Sequence, residues 1–179
     1  ATICLDNIVK MIDREKNYDI IALQEALNYK ILIKKSKNLK RMGYYKSRSG
    51  KEILVTFYNK SKYRLMKGYK SEFIEGRPFH VILLENKAGK QIVVVNLHTG
   101  HKELSKKLFI EKTLNKFLKE TIDLSKKKLI VLGDFNNNKI KTLKVMGRKL
   151  KSSKKKYREM VDNVLSEEKV QIKRYLKCN

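Results

Sequence analysis

The segment LIVLGDFNNN, residues 129–138, changes within a few positions from a run of aliphatic residues to an aspartate and a row of asparagines. Aliphatic and β-branched residues are typical of a buried strand, whereas Asp and Asn favour turns. Their side-chain oxygens also suit hard cations. In open α/β sheets, ligands bind beyond the carboxyl ends of the strands. The segment therefore predicts a buried strand that ends in a functional site.

Three other segments place a polar group at the end of an apolar run or inside it. DIIALQE (19–25) ends in Gln-Glu, IVVVNLHTGH (92–101) ends around Asn-x-His, and MVDNVLS (160–166) carries Asp162. One such strand would be weak evidence, but four in this order are hard to explain by packing alone. Together they predict that several strand ends meet at one site.

The pattern between these segments predicts helices and β-hairpins. Apolar residues at helical spacing indicate three helices, over Cys4–Ile12, Leu27–Lys40 and Leu104–Ile122. Alternating segments indicate two hairpins, Ile53–Tyr58 with Tyr63–Met66 and His80–Glu85 with Gln91–Leu97. Hairpins mixed with helices that return to the sheet favour an α/β layered architecture.

The four strand ends resemble the signature of the endonuclease/exonuclease/phosphatase superfamily, which contains deoxyribonuclease I and the abasic-site endonucleases. In that signature a strand ending in Gln-Glu precedes a strand ending near a His. Gly-Asp-Phe-Asn, an Asp in an apolar strand and a final Ser-Asp-His follow. Residues 19–169 match the first four parts. The resemblance implies a four-layer α-β-β-α sandwich of two mixed or antiparallel sheets flanked by helices, in a single domain over 1–179.

The resemblance also implies a catalytic set. Glu25 would hold Mg²⁺ or Mn²⁺, cations that bind one or two carboxylates together with water and substrate phosphate. Asp134 and Asn136 would position water and bind phosphate or metal, although a simple Asx turn is the alternative. His98 would donate a proton or hydrogen bond to an oxygen on phosphorus, with Glu52 orienting it.

Three further residues have predicted roles. Arg77 is a candidate contact to the substrate phosphate. Asn96 is a candidate phosphate-binding or orienting residue, because it precedes His98 by two positions and shares its face of the strand. Asp162 matches the carboxylate that pairs with the final histidine of the superfamily. The other two histidines, His80 and His101, are interpreted as surface residues.

Two parts of the signature are absent. The chain begins with the helix that normally follows a first strand, and no histidine occurs after His101. Asp162 therefore lacks its usual partner, and a buried unpaired carboxylate is costly. We expect a domain that is incomplete at both ends; a degenerate member of the superfamily is the alternative.

The charge of the chain favours a polyanionic partner. Its 43 Lys and Arg against 18 Asp and Glu give a net charge of +25, which predicts attraction to nucleic acid first. The segment 139–158 is basic without a single acid, and it is predicted to be a solvated loop or a nucleic-acid contact. An excess of Lys over Arg also follows from an AT-rich genome, so composition alone leaves the substrate open.

The leading prediction is a metal-dependent phosphodiesterase, specifically a nuclease that cuts DNA or RNA. The alternatives are a catalytically impaired nucleic-acid-binding homologue, and a phosphatase or phospholipase acting on lipid or inositol phosphate esters. No signal peptide or apolar run of roughly 18 residues is visible. Cys4 and Cys178 are predicted to be free thiols. We therefore expect an intracellular monomer in the cytoplasm or nucleus.

Overall fold

Fourteen helices and strands make up the part of the chain that the computed structural model describes, which is residues 2–14, 17–73, 76–100, 106–137, 139–152 and 162–168. In chain order they are α1 (Thr2–Arg14), β1 (Ile20–Leu23), α2 (Tyr29–Lys35), α3 (Lys37–Arg41), β2 (Gly43–Ser49), β3 (Glu52–Tyr58), β4 (Tyr63–Glu72), β5 (Pro78–Asn86), β6 (Gln91–His98), α4 (Lys106–Thr121), β7 (Lys128–Asp134), β8 (Thr142–Val145), β9 (Arg148–Ser152) and β10 (Asp162–Ser166).

The strands form two sheets. The smaller sheet has three antiparallel strands in the order β1-β3-β2. The larger has seven in the order β4-β5-β6-β7-β10-β9-β8. Within it β6 and β7 run parallel, whereas β7 and β10 run antiparallel. The carboxyl ends of β6 and β7 therefore lie side by side.

Three apolar clusters show the order of the layers. One joins α1, α2 and α3 to the outer face of the small sheet through residues such as Ile12, Leu32 and Phe57. A second lies between the sheets, where Ile82 and Val94 meet residues of β1 and β2. The third joins α4 to the far face of the large sheet. The layers are helix, sheet, sheet and helix, which confirms the predicted four-layer sandwich.

The predicted first hairpin is wrong, because its two strands belong to different sheets. β3 pairs with β1 and β2, while β4 pairs with β5. The turn between them is tied to the start of β1: the backbone N–H of Asn59 donates to the Asp19 carbonyl at 3.0 Å, and Lys62 pairs with the Asp19 carboxylate at 2.6 Å. The second predicted hairpin, β5 with β6, is confirmed.

The predicted helix over 27–40 is divided at Ser36. Ser36 has an extended backbone, and its hydroxyl accepts from the Leu39 N–H at 3.1 Å, which caps the start of α3. Asp13, near the end of α1, accepts from the Ser36 hydroxyl at 2.6 Å and from the N–H groups of Lys37 and Asn38. Capping of α3 is therefore more favourable here than one continuous helix.

The basic segment 139–158 is partly a β-hairpin, not a loop. Within 139–152 it forms β8 and β9 at the edge of the large sheet, with Leu143, Val145 and Leu150 in the core. Its lysines point outwards and are exposed. The remainder, 153–158, lies outside the described residues.

Two further observations concern Cys4 and the apolarity of the helices. Cys4 is disulfide-bonded, so the prediction of a free thiol is wrong for this residue. Cys178 lies outside the described residues. Among the described residues, no helix combines the length and apolarity needed to cross a membrane.

His80 lies between the two sheets, contrary to the surface position predicted for it. Its side chain is fully buried. Nδ1 lies 2.8 Å from the Ser47 hydroxyl and Nε2 lies 2.7 Å from the Thr56 hydroxyl. The Tyr45 ring packs edge-on against it. Burial lowers the pKa of His80 to about 3, so the native ring is neutral.

A His80→Gln variant should show a weaker dependence of stability on pH. The unfolded ring has a pKa near 6.5, so between that value and the native pKa of about 3 the unfolded state binds one more proton. The free energy of unfolding of the wild type therefore falls as the pH falls through this window, by up to about 1.4 kcal/mol per pH unit. Urea unfolding of both proteins from about pH 7 to about pH 4 measures the difference, and equal slopes would contradict a neutral buried ring.

Candidate active site

The end of β1 presents Glu25 to solvent. The residue has a positive φ of 51°, a conformation that is uncommon for a side-chain-bearing residue, and it is exposed. The next residue, Ala26, is buried, and its N–H donates to the Ile53 carbonyl of β3 at 2.9 Å. The turn after β1 thus anchors its backbone to the small sheet while the carboxylate faces outwards.

His98 ends β6 and is held by a carboxylate from the other sheet. Its Nδ1 lies 2.9 Å from the Glu52 Oε2 at the start of β3, and only 3% of the histidine is exposed. Arg77 forms an ion pair with the other oxygen of Glu52. The predicted pairing of Glu52 with His98 is therefore present in the structure. Arg77, the predicted phosphate contact, places a positive charge beside this pair.

Glu25, Glu52 and His98 form the one cluster of potential metal ligands found among the described residues. One ligand atom from each lies within 4.8 Å of the others. Glu52 is already engaged by Arg77 and His98, whereas Glu25 is exposed. An exposed carboxylate that leaves room for water and a substrate phosphate fits the ligand preference of Mg²⁺. The donor set is thus compatible with a divalent cation bound chiefly by Glu25.

Asp134 and Asn136 are brought together by an Asx turn, the alternative predicted for this segment. Oδ1 of Asp134 accepts from the Asn136 N–H at 2.8 Å, and Asn136 has a positive φ of 45°, so the segment is not extended. The Asn136 side chain donates to the Thr99 carbonyl at 2.5 Å. Asp134 itself is 8% exposed. The Asx turn and the predicted site are therefore formed by the same two residues, so the turn does not exclude the site.

Strand register places three of the predicted site residues at the same end of neighbouring strands in the large sheet. His98 on β6 is opposite Asp134 on β7 in the parallel pair. Asp162, the first residue of β10, is opposite Asp134 on the other side. The structure describes the backbone of Asp162 but not its side chain.

Asn96 is buried between the sheets and does not face the solvent. Its exposed fraction is 0%. Its amide nitrogen lies 3.1 Å from the Thr56 hydroxyl and 3.3 Å from the Leu23 and Val55 carbonyls. Its Oδ1 accepts from the Gln24 side chain at 2.7 Å. Of the two roles predicted for Asn96, orienting its neighbours agrees with this position, whereas direct binding of phosphate does not.

Two residues beside the Asx turn were missed by the sequence analysis. Lys106, at the start of α4, is 3% exposed, and its ammonium donates to the Asn136 carbonyl at 3.3 Å. Thr99 donates its hydroxyl to the Phe135 carbonyl at 2.6 Å. Lys106 has no local signal in a lysine-rich chain, but Thr99 could have been considered because it directly follows His98.

No protein-family model matches the chain. It is 39% identical over 149 residues to an uncharacterized protein of Acanthamoeba polyphaga mimivirus, covering 76% of this chain and 28% of that protein. Among solved structures it resembles an endonuclease/exonuclease/phosphatase family protein from Bacteroides thetaiotaomicron, with a TM-score of 0.73, 16% identity, and 92% and 74% of the two chains covered. It also resembles ANGEL2, a 2′,3′-cyclic phosphatase, with a TM-score of 0.64 and 19% identity.

The extent of these matches differs. The chain spans only about a quarter of the mimivirus protein's length, and the ANGEL2 match covers 78% of this chain and 46% of that one. At these identities, the structural matches show a shared fold.

Proposed function

We propose that this chain, which has the fold of the endonuclease/exonuclease/phosphatase superfamily predicted from its sequence, is a metal-dependent phosphodiesterase that hydrolyses DNA or RNA. The observation that carries the proposal is the convergence of Glu25, Glu52 and His98 to within 4.8 Å, with Asp134 opposite His98 in the sheet. An exposed carboxylate, a carboxylate–imidazole pair and a third carboxylate, that of Asp134, together meet the needs of phosphoryl transfer to water.

Glu25 would hold the divalent cation, with the remaining positions taken by water and substrate. When bound, Mg²⁺ or Mn²⁺ would polarise a phosphoryl oxygen and neutralise charge that develops on it. The chain's own part is to present Glu25 on a turn that the hydrogen bond from Ala26 to Ile53 ties to the small sheet. Arg77, beside Glu52, would add positive charge to this region and contact the phosphate.

His98 would donate a hydrogen bond or proton to an oxygen on phosphorus. Glu52 holds the ring in place through Nδ1, which fixes its orientation. On the neighbouring strand, Asp134 and Asn136 would position the attacking water and the phosphate. Both lie in an Asx turn whose Asn136 is hydrogen-bonded to Lys106 and Thr99. The two side chains would therefore need little rearrangement when substrate binds.

Nucleic acid is the proposed substrate because the chain is strongly basic. The net charge is +25, and five exposed lysines lie in β8, in β9 and just before β8 (Lys139, Lys141, Lys144, Lys149 and Lys151). Each phosphate that such side chains neutralise makes binding more salt-dependent, by about 0.9 log units per log unit of salt. ANGEL2 was solved with adenosine-2′,3′-vanadate, so this fold accommodates a nucleoside phosphate analogue.

Cleavage of a supercoiled plasmid and of a labelled single strand tests the proposal. We expect the purified chain to cleave with Mg²⁺ or Mn²⁺, to stop with a chelator, and to lose activity in Asp134→Ala. The matched control is Glu120→Ala, which removes an exposed acid from α4 and should leave cleavage unchanged. Activity that survives the chelator or Asp134→Ala would contradict the proposal.

A second candidate is a catalytically impaired nucleic-acid-binding homologue. It is favoured by the charge of +25, which attracts polyanions whether or not the chain cleaves them. Salt-sensitive binding to the same DNA without metal-dependent cleavage would identify it. Cleavage of lipid or inositol phosphate esters in preference to nucleic acid would instead favour a phosphatase or phospholipase.

A further inference from the structure

A continuous series of hydrogen bonds runs through the interior between the two sheets. The Ser47 hydroxyl is hydrogen-bonded to His80 Nδ1, and His80 Nε2 is hydrogen-bonded to the Thr56 hydroxyl. The Thr56 hydroxyl accepts from the Asn96 amide at 3.1 Å, and Asn96 Oδ1 accepts from the Gln24 side chain at 2.7 Å. We call these five side chains, from Ser47 to Gln24, the interior polar chain.

The interior polar chain is set in an apolar layer. His80, Thr56 and Asn96 are each 0% exposed, and their neighbours between the sheets are aliphatic and aromatic. Burying polar groups is costly unless each finds a partner, and here every link is bonded to the next. Aliphatic residues would pack this layer at lower cost, so the polar series calls for an explanation beyond holding two sheets together.

The chain of hydrogen bonds ends one residue before the proposed metal ligand. Gln24 is its last member, and Glu25 follows directly with a positive φ of 51°. Asn96 also donates to the Leu23 carbonyl, so it contacts two successive residues, the last of β1 and the one that follows it. An unfavourable backbone conformation persists only where the surroundings over-determine it. The bonds from Asn96 are part of what constrains this turn.

We infer that the interior polar chain is a positioning device that sets the Glu25 turn from the centre of the protein. Thr56 and His80, which are fully buried, act through Asn96 and Gln24. The inference rests on the proposed function in one respect, since it takes Glu25 as the residue that holds the divalent cation. Groups that orient metal ligands typically change metal affinity by about 10–100-fold when they are removed.

Thr56→Val tests the inference, because it keeps the shape of the side chain and removes the hydroxyl that joins His80 to Asn96. We expect the dissociation constant for Mn²⁺, measured on the substrate-free protein by the EPR signal of free Mn²⁺, to rise about tenfold. Thr56→Ser keeps the hydroxyl and should bind Mn²⁺ like the wild type. Leu84→Ala, from the same apolar layer, should lower the unfolding midpoint without changing Mn²⁺ affinity.

The outcomes are distinct. Wild-type affinity in folded Thr56→Val, or an equal loss in Leu84→Ala, would overturn the inference while leaving the proposed function intact. Absence of Mn²⁺ binding by the wild type would overturn the proposed metal site and the inference with it. If Thr56→Val does not fold, Gln24→Met breaks the same series at its partly exposed end. That variant must then weaken Mn²⁺ binding for the inference to stand.

Discussion

A Glu25→Gln variant is expected to lose about 10³-fold in kcat and to bind Mn²⁺ too weakly to measure. Glu25 is the exposed acid of the ligand cluster, whereas Glu52 is engaged by Arg77 and His98. Gln keeps the size of the side chain and removes its charge, so the divalent cation loses its main anionic ligand. A cation is worth several kcal/mol of transition-state stabilisation in hydrolysis, and about 4 kcal/mol corresponds to the expected loss.

The stability of the same variant distinguishes a metal ligand from a structural residue. Because Glu25 is exposed and its carboxylate faces solvent, the urea midpoint of Glu25→Gln should equal that of the wild type. Glu120→Gln, an exposed acid on α4, is the control for the loss of one negative charge. Retained kcat with unchanged Mn²⁺ affinity in Glu25→Gln would show that the metal binds elsewhere.

The strand ends could be predicted because their chemistry is local. Asp, Asn, His and Gln-Glu are costly to bury in an apolar core. Where they follow a run of aliphatic residues, the sequence itself therefore marks the point at which a buried strand ends. The strand register then places His98 beside Asp134. The adjacency of Glu52 and His98 was predicted in another way, from the resemblance to the superfamily, and the structure contains it.

What could not be predicted depends on contacts between residues far apart in the chain. The turn after β3 has the length of a hairpin loop, but β3 pairs with β1 and β2 while β4 pairs with β5, so the chain crosses to the other sheet there. His80 lies on a strand that is buried on both faces, so alternation could not distinguish an interior position from a surface one. Lys106 is a buried lysine beside the site in a chain that is rich in exposed lysines.

A Gly133→Ala variant is expected to lose about 3–5 kcal/mol of stability, a large part of the total for a domain of this size. Gly133 has a φ of 139°, which a side-chain-bearing residue adopts with strain. A Cβ at this position would overlap the Leu97 carbonyl oxygen and would lie 2.9 Å from the Leu97 backbone nitrogen. Leu97 is the direct partner of Gly133 in the β6–β7 pair, so relief of the overlap would break the ladder.

Gly89→Ala separates backbone strain from steric overlap. Gly89 also has a positive φ, of 74°, but nothing lies within 4 Å of a Cβ there. Its substitution should cost only about 1–2 kcal/mol of conformational strain. Urea unfolding of both variants measures the difference. An equal loss would mean that β6 and β7 can move apart without penalty. A much larger loss at Gly133 would instead show that the close pairing of β6 and β7, which places His98 beside Asp134, leaves no room for a Cβ at this position.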